Sequence, residues 1–269
     1  MELIKTTLPT GAGLTCWLHS KAAGLNAEAC EYRPTLILCP GGGYWGISDC
    51  ENDPVATEFF AMGLHVLVLS YGVQEQAANK RPLEDAAWAI LTARQNKDAW
   101  GIDPDRVAIM GFSAGGHVAG SLAVHWNDPE IARRLGVEDS RVLRPNGAVL
   151  CYPVLTAQEG LRNEGSIQRV SAGGGDPDYW SLEKHVTADT PPTFLWHTME
   201  DKAVPVENSL MFAAAMRRNR ASCEAHFFPF GPHALTVCTA ETGRPRPTVR
   251  PWVDLCHTWL ESTLGPLPA

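Results

Sequence analysis

Short apolar runs alternate with amphipathic segments along this chain. The runs at residues 35–39 and 65–69 are bounded by proline or glycine, which is the pattern of strands buried on both faces of a sheet. Later runs of the same character predict further strands at residues 107–110, 147–152, 192–197 and 224–228. Because the runs are short and separated by longer segments, most of these strands are predicted to be parallel.

The segments between the apolar runs have the spacing of helices. Asp53 and Pro54 open one of these segments, and Gly63 closes it. The predicted helices cover residues 53–63, 82–100, 117–124, 206–219 and 252–264. Strands that alternate with helices in this way predict an α/β fold, with a mostly parallel central sheet flanked by helices on both faces.

Residues 157–190 interrupt this alternation. They contain a turn-like, glycine-rich stretch at 173–177 and two apolar side chains, Trp180 and Leu182, that are able to cover a cleft. A small lid insertion and a structural loop both fit this segment. The 269 residues otherwise suit one large domain.

A G-x-S-x-G motif stands where a strand is predicted to pass into a helix. It runs from Gly111 to Gly115, with Ser113 at its centre. A sharp turn from strand to helix leaves no room for bulk two residues before and after its apex, and the two glycines meet that requirement. Ser113 is therefore the predicted nucleophile, with a helix N-terminus beneath it to favour developing negative charge. An ordinary glycine-rich loop is the alternative.

Candidates for a base and an orienting acid occur late in the chain. A serine hydroxyl needs a base to take its proton and an acid to orient that base. Asp201 and His233 follow the last two predicted strands, so both are expected at the carboxyl edge of the sheet. The chain order serine, aspartate, histidine is that of α/β-hydrolases. Glu200 adjoins Asp201 and competes for its role, whereas His117, one helical turn beyond Ser113, is more typical of packing.

The loop after the run at 35–39 carries three consecutive glycines. The backbone N–H groups of Gly42, Gly43 and Ala114 are the predicted oxyanion hole, because glycine lets the backbone approach a tetrahedral intermediate closely. Tyr44 and Trp45 come next and are the predicted substrate contacts, as walls of a short acyl pocket. The loop also matches the dinucleotide motif G-x-G-x-x-G. The bulky aromatics and the lack of a helix directly after the loop disfavour that interpretation.

Composition narrows the choice of partners. A net charge of −8 and a pI near 5.6 disfavour nucleic acids and anionic membranes. No apolar run reaches the roughly 20 residues that cross a bilayer, and the first residues lack a signal-peptide core, so a soluble, cytoplasmic protein is expected. The scattered cysteines lack C-x-x-C spacing and are expected to be reduced thiols: Cys16, Cys30, Cys39, Cys50, Cys151, Cys223, Cys238 and Cys256. The oligomeric state, including a homo-oligomer, stays open.

The motifs together resemble the α/β-hydrolase serine esterases, in particular bacterial acetyl-xylan esterases and hormone-sensitive-lipase-like carboxylesterases. The lipase-like relatives carry His-Gly-Gly-Gly, so Pro40 favours the xylan-esterase-like group, while Ala234 stands where relatives tend to have glycine. The matching segments span nearly the whole chain from about residue 35: residues 40–44 (PGGGY), 111–117 (GFSAGGH), 190–198 (TPPTFLWHT) with Asp201, 204–206 (VPV) and 231–233 (GPH).

The resemblance implies an esterase with Ser113 as nucleophile, Asp201 as acid, His233 as base, and no metal or organic cofactor. Short-chain acyl esters are the expected small-molecule substrates, with acetylated sugars or xylo-oligosaccharides as candidates. An amide hydrolase of the formamidase type and a catalytically inactive binding module with the same fold remain open.

Overall fold

The computed structural model describes residues 1–20, 31–174 and 176–268. Cys30, and Gly175 within the stretch 173–177, lie outside the described residues. Within these ranges the chain forms one eight-stranded sheet. Its strands are β1 (Glu2–Thr7), β2 (Gly13–Leu18), β3 (Arg33–Cys39), β4 (His65–Ser70), β5 (Ile102–Phe112), β6 (Gly147–Cys151), β7 (Thr193–Thr198) and β8 (Cys223–Phe228).

The strands lie in the order β1-β2-β4-β3-β5-β6-β7-β8. All neighbours from β4 to β8 pair in parallel, whereas β1 and β2 are antiparallel to each other and β2 is antiparallel to β4. Every residue of β6 and β7 is buried. Burial on both faces explains the uninterrupted apolar runs in the sequence and confirms the predicted mostly parallel sheet.

The antiparallel strands at the sheet edge are absent from the sequence predictions. Their burial alternates along the chain, and in β2 the side chains of Leu14, Cys16 and Leu18 are buried on one face. This is the period-two pattern of a strand with one solvated face. A search for uninterrupted apolar runs misses it.

The helices are α1 (Asp53–Ala61), α2 (Arg81–Gln95), α3 (Lys97–Trp100), α4 (Ala114–His125), α5 (Pro129–Leu135), α6 (Glu164–Val170), α7 (Glu207–Arg218) and α8 (Trp252–Leu264). The predicted helix at 82–100 is divided at Asn96, whose side-chain amide donates to the Thr92 carbonyl. Gly101, with φ 65°, then turns the chain into β5.

Helices cover both faces of the sheet. On one face α1 and α8 pack through residues such as Phe59 and Trp252. On the other face α2, α4 and α7 pack through Leu83, Val118 and Phe212. Within the described ranges, no helix combines the length and the apolar character needed to cross a membrane.

The segment 157–190 has one part that packs in the core and another that borders a cavity. Trp180 and Leu182 are buried against α4, and the Trp180 carbonyl lies 3.2 Å from His117 Nε2, so these two side chains belong to the core and do not cover a cleft. By contrast α6, with Asn163 as its N-cap, lies next to the loop after β3 and contributes Ser166 to a cavity described below.

Candidate active site

Ser113 stands at the turn from β5 into α4. Its backbone has φ 54° and ψ −117°, a conformation rarely adopted outside glycine. A Cβ atom at Gly111 would lie 2.0 Å from the Gly115 carbonyl oxygen, and one at Gly115 would lie 2.0 Å from the Cys39 carbonyl oxygen. The motif therefore needs both glycines for close packing, as predicted from the sequence.

The structure brings the three predicted catalytic side chains together. His233 Nε2 lies 2.8 Å from Ser113 Oγ, and His233 Nδ1 lies 2.6 Å from Asp201 Oδ2. Ser113 follows β5, Asp201 follows β7 and His233 follows β8, so the carboxyl ends of parallel strands position all three. This chain of hydrogen bonds has the geometry of a serine, its base and an orienting acid.

Asp201 is buried and fully engaged. Its Oδ1 accepts from the backbone N–H groups of Ala203 and Val204, each at 2.9 Å, and its Oδ2 also lies 3.1 Å from His197 Nε2. Burial acts to raise the pKa of Asp201, but hydrogen bonds from His197, His233 and the Val204 N–H outweigh it and hold the pKa well below its ordinary value. The lowered pKa keeps this carboxylate ionised at neutral pH.

The neighbours of this carboxylate bear on the competition between Asp201 and Glu200. His197 lies within β7, and its Nδ1 is 2.7 Å from Ser209 Oγ. Glu200 is exposed, and its Oε2 accepts from Gly231 N at 3.2 Å. Among the described residues Glu200 forms no hydrogen bond with His233, whereas Asp201 does, and this geometry favours Asp201 as the predicted acid.

The predicted oxyanion donors line the same space as Ser113. Gly42 and Gly43 have φ of 128° and 63°, and a Cβ atom at Gly42 would lie 2.1 Å from the Gly46 carbonyl oxygen. In the described part of the chain neither of their N–H groups has a protein acceptor. Ala114 is the first residue of α4, so its N–H has no partner within the helix. The role of these three N–H groups as oxyanion donors stays a prediction, and their geometry leaves them open to an oxyanion.

The two aromatic residues predicted to contact substrate have different surroundings. Tyr44 is 1% exposed, its hydroxyl lies 2.8 Å from His117 Nδ1, and its ring packs against Tyr71. Tyr44 thus anchors the glycine loop from below and does not wall a pocket, which corrects that part of the prediction. Trp45 is 65% exposed and lies beneath the Arg169 guanidinium, with 5.1 Å to the ring centroid.

Sequence reasoning missed a buried carboxylate at this site. Glu51 is 2% exposed, and its Oε2 accepts from Gly41 N at 2.8 Å while its Oε1 accepts from Tyr152 Oη at 2.7 Å. The same Tyr152 oxygen accepts from Thr236 N, and the ring meets His233 edge-on at 5.0 Å. Glu51 therefore links the glycine loop to the loop that carries His233. Its polar sequence neighbourhood gives no signal of burial.

We expect Glu51→Ala to lower kcat on an acetyl ester about 10- to 100-fold, because it strands two buried donors and loosens both loops. Glu51→Gln is the matched control and is expected to lose less, since its amide oxygen still accepts from Gly41 N and its NH₂ group can donate to Tyr152. Steady-state kinetics with melting temperatures measure both. An unchanged kcat in a folded Glu51→Ala enzyme would contradict this role.

Two cavities meet at His233. The smaller, about 280 Å³, contains Ser113 and is lined by Gly42, Gly43, Ser48, Glu51, Ser113, Asn163, Ser166, Ala203, His233 and Ala234. The larger, about 610 Å³, is lined by Glu200, Lys202, Ala203, Gly231, Pro232, His233, Arg244 and Arg246. His233 and Ala203 border both cavities, so the two spaces adjoin at the predicted base.

The chain matches the BD-FAE family over residues 25–147, which include the glycine loop and Ser113. Endo-1,4-beta-xylanase B of Butyrivibrio fibrisolvens is 40% identical over 221 residues, covering 78% of this chain and 33% of that protein. An acetylxylan esterase of Xylanibacter ruminicola is 26% identical over 232 residues, covering 83% of this chain and 44% of that protein. This chain thus spans less than half the length of both curated relatives.

A solved structure is similar along almost its full length. The acetyl ester-xyloside bifunctional hydrolase from Caldicellulosiruptor lactoaceticus shares 35% identity with this chain at a TM-score of 0.80. The match covers 94% of this chain and 89% of the other. The likeness therefore extends over nearly all of this chain.

Proposed function

Because the chain belongs to the α/β-hydrolase esterases, we propose that it is a serine hydrolase of carboxylic esters with short acyl groups. One observation carries the proposal: the continuous hydrogen-bonded path from Ser113 Oγ through His233 to Asp201, with contacts of 2.8 and 2.6 Å. A hydroxyl that shares its hydrogen with a base held by a carboxylate is suited to attack an acyl carbon.

In the proposed mechanism, His233 Nε2 takes the proton of Ser113 as the serine oxygen attacks the ester carbonyl. The N–H groups of Gly42, Gly43 and Ala114 stabilise the oxyanion, and His233 then protonates the departing alcohol oxygen. Water repeats the sequence on the acyl-enzyme and releases the acid. Asp201 stays ionised throughout and stabilises the imidazolium that forms twice in each cycle.

The size of the cavity around Ser113 supports a short acyl group. A volume of about 280 Å³, shared between the acyl group and the reacting atoms, suits an acetyl group better than a long alkyl chain. The hydroxyls of Ser48 and Ser166 and the amide of Asn163 make its wall partly polar. Two relatives carry names that refer to acetylated xylan or an acetyl ester-xyloside. Acetylated carbohydrates are therefore the substrate class that we propose.

The test is a series of p-nitrophenyl esters from acetyl to dodecanoyl. We expect kcat/KM to be highest for acetyl and to fall by roughly 100-fold or more at dodecanoyl, because a long chain overfills the small cavity. Release of acetate from acetylated xylobiose then tests the carbohydrate. A maximum at long chains would contradict the short acyl group. Turnover of amides without turnover of esters would favour the amide hydrolase instead.

A further inference from the structure

The larger cavity beside His233 concentrates positive charge. Its lining contains Lys202, Arg244 and Arg246 but only one carboxylate, Glu200. The chain as a whole carries a net charge of −8. A group of cations next to the predicted base therefore contrasts with the net negative charge of the molecule.

Two of these cations have no partner among the residues that the structure describes. In the part of the chain that the structure describes, neither the Lys202 ammonium nor the Arg246 guanidinium forms a hydrogen bond or an ion pair. Glu200 directs Oε2 to the Gly231 N–H and pairs with neither cation. Arg244 donates from one guanidinium nitrogen to the His233 carbonyl, which leaves its other N–H groups available.

The position of the larger cavity suits the alcohol portion of the ester. Gly42 and Gly43, the predicted oxyanion donors, line the smaller cavity, so the acyl group is expected there. The departing alcohol must lie close to His233 Nε2, which protonates it. The larger cavity contains His233 together with the preceding residues Gly231 and Pro232. It is therefore the space next to the base into which the alcohol portion extends.

We propose that this cavity is an anion-binding subsite for the alcohol portion of the substrate. The proposal rests on the proposed esterase function and adds the class of alcohol: one that carries a carboxylate or a phosphate, as an acetylated uronic acid or sugar phosphate does. Arginine recognises both groups through paired N–H donors, and lysine adds a further charge.

The test compares three acetyl esters of similar size: 4-acetoxybenzoate, 4-acetoxyphenyl phosphate and the neutral 4-acetoxybenzamide. Each kcat/KM is divided by the alkaline hydrolysis rate of the same ester, which removes differences in leaving-group reactivity. We expect the wild-type enzyme to favour at least one anionic ester about 10-fold or more over the amide. Which anion is favoured distinguishes a carboxylate from a phosphate. Raising the ionic strength to about 0.5 M is expected to shrink the preference.

Variants connect the preference to the cavity. We expect Arg246→Gln and Lys202→Gln each to lower the ratio of anionic to neutral kcat/KM several-fold, and Arg246→Glu to lower it further. Arg217→Gln, which removes an exposed cation at the end of α7, is the matched control and is expected to keep the wild-type ratio. Melting temperatures establish that each variant is folded. Because the readout is a ratio measured on one enzyme, a general loss of activity does not imitate the expected result.

The outcomes separate the two proposals. Equal normalised rates on all three esters would overturn the anion subsite and leave the esterase function in place. A preference that survives Arg246→Gln and Lys202→Gln would overturn the assignment to these residues. Failure to hydrolyse any of the esters would overturn the esterase function and the subsite together.

Discussion

Replacing Ser113 with alanine is expected to lower kcat on an acetyl ester by roughly 10⁴- to 10⁶-fold, with the fold intact. The change removes the only oxygen within hydrogen-bond distance of His233 Nε2 among the described residues. Alanine also has a Cβ atom, so it fits the backbone with φ 54° no worse than serine does. The glycine loop and the start of α4 stay in place, so substrate binding is expected to persist.

Single-turnover kinetics with p-nitrophenyl acetate measure this effect, since the burst of p-nitrophenol reports formation of the acyl-enzyme. Ser121→Ala is a suitable control. Ser121 is buried within α4, and its hydroxyl has no hydrogen-bond partner in the described chain, so its removal is expected to leave kcat within a few-fold. A burst of normal amplitude in the Ser113→Ala enzyme would show that the nucleophile lies elsewhere.

Asp201→Asn is expected to lower kcat about 10⁴-fold, because it moves the imidazole hydrogen of His233 from Nδ1 to Nε2. The backbone N–H groups of Ala203 and Val204 point at Oδ1, so the amide oxygen of asparagine takes that position. Its NH₂ group then occupies the Oδ2 position and donates to His233 Nδ1. The imidazole hydrogen is then forced onto Nε2. A protonated Nε2 can no longer accept the proton of Ser113.

The neighbouring residue supplies the control for this second variant. Glu200→Gln changes the carboxylate next in sequence, whose contact is with Gly231 N, and is expected to alter kcat less than about 10-fold. The kcat values of both variants on p-nitrophenyl acetate, together with their melting temperatures, measure the difference. If Asp201→Asn retained near wild-type kcat while Glu200→Gln lost it, the acid would have to be reassigned.

The parts of the fold that the sequence predicts correctly are those with strong local signals. Strands β6 and β7 are buried on both faces and therefore appear as unbroken apolar runs. The glycines around Ser113 are required because a Cβ atom at either position would clash with the backbone. The motif alone therefore predicts the tight turn. Asp201 and His233 were predicted from chain order and strand ends alone, because parallel strands bring distant loops to one edge.

The features that escaped prediction depend on contacts between distant residues. The exposed strand β1 is mostly polar and is defined by its pairing with β2, not by its own residues. Tyr44 adjoins the oxyanion loop in sequence, yet its ring turns inward to His117, 73 positions away. Glu51 is buried with one of its two donors supplied by Tyr152, 101 positions away. No local pattern encodes such pairings.

The segment between β6 and β7 allows the selectivity for the acyl group to change without disturbing the core. Its later part holds Trp180 and Leu182 in the core, whereas its earlier part, α6, supplies Ser166 to the wall facing Ser113. One stretch of this segment therefore packs in the core, and a separate stretch lines the cavity. Exchange of α6 residues alone is therefore expected to change the shape of the cavity around Ser113. The strands that align serine, histidine and aspartate would keep their register.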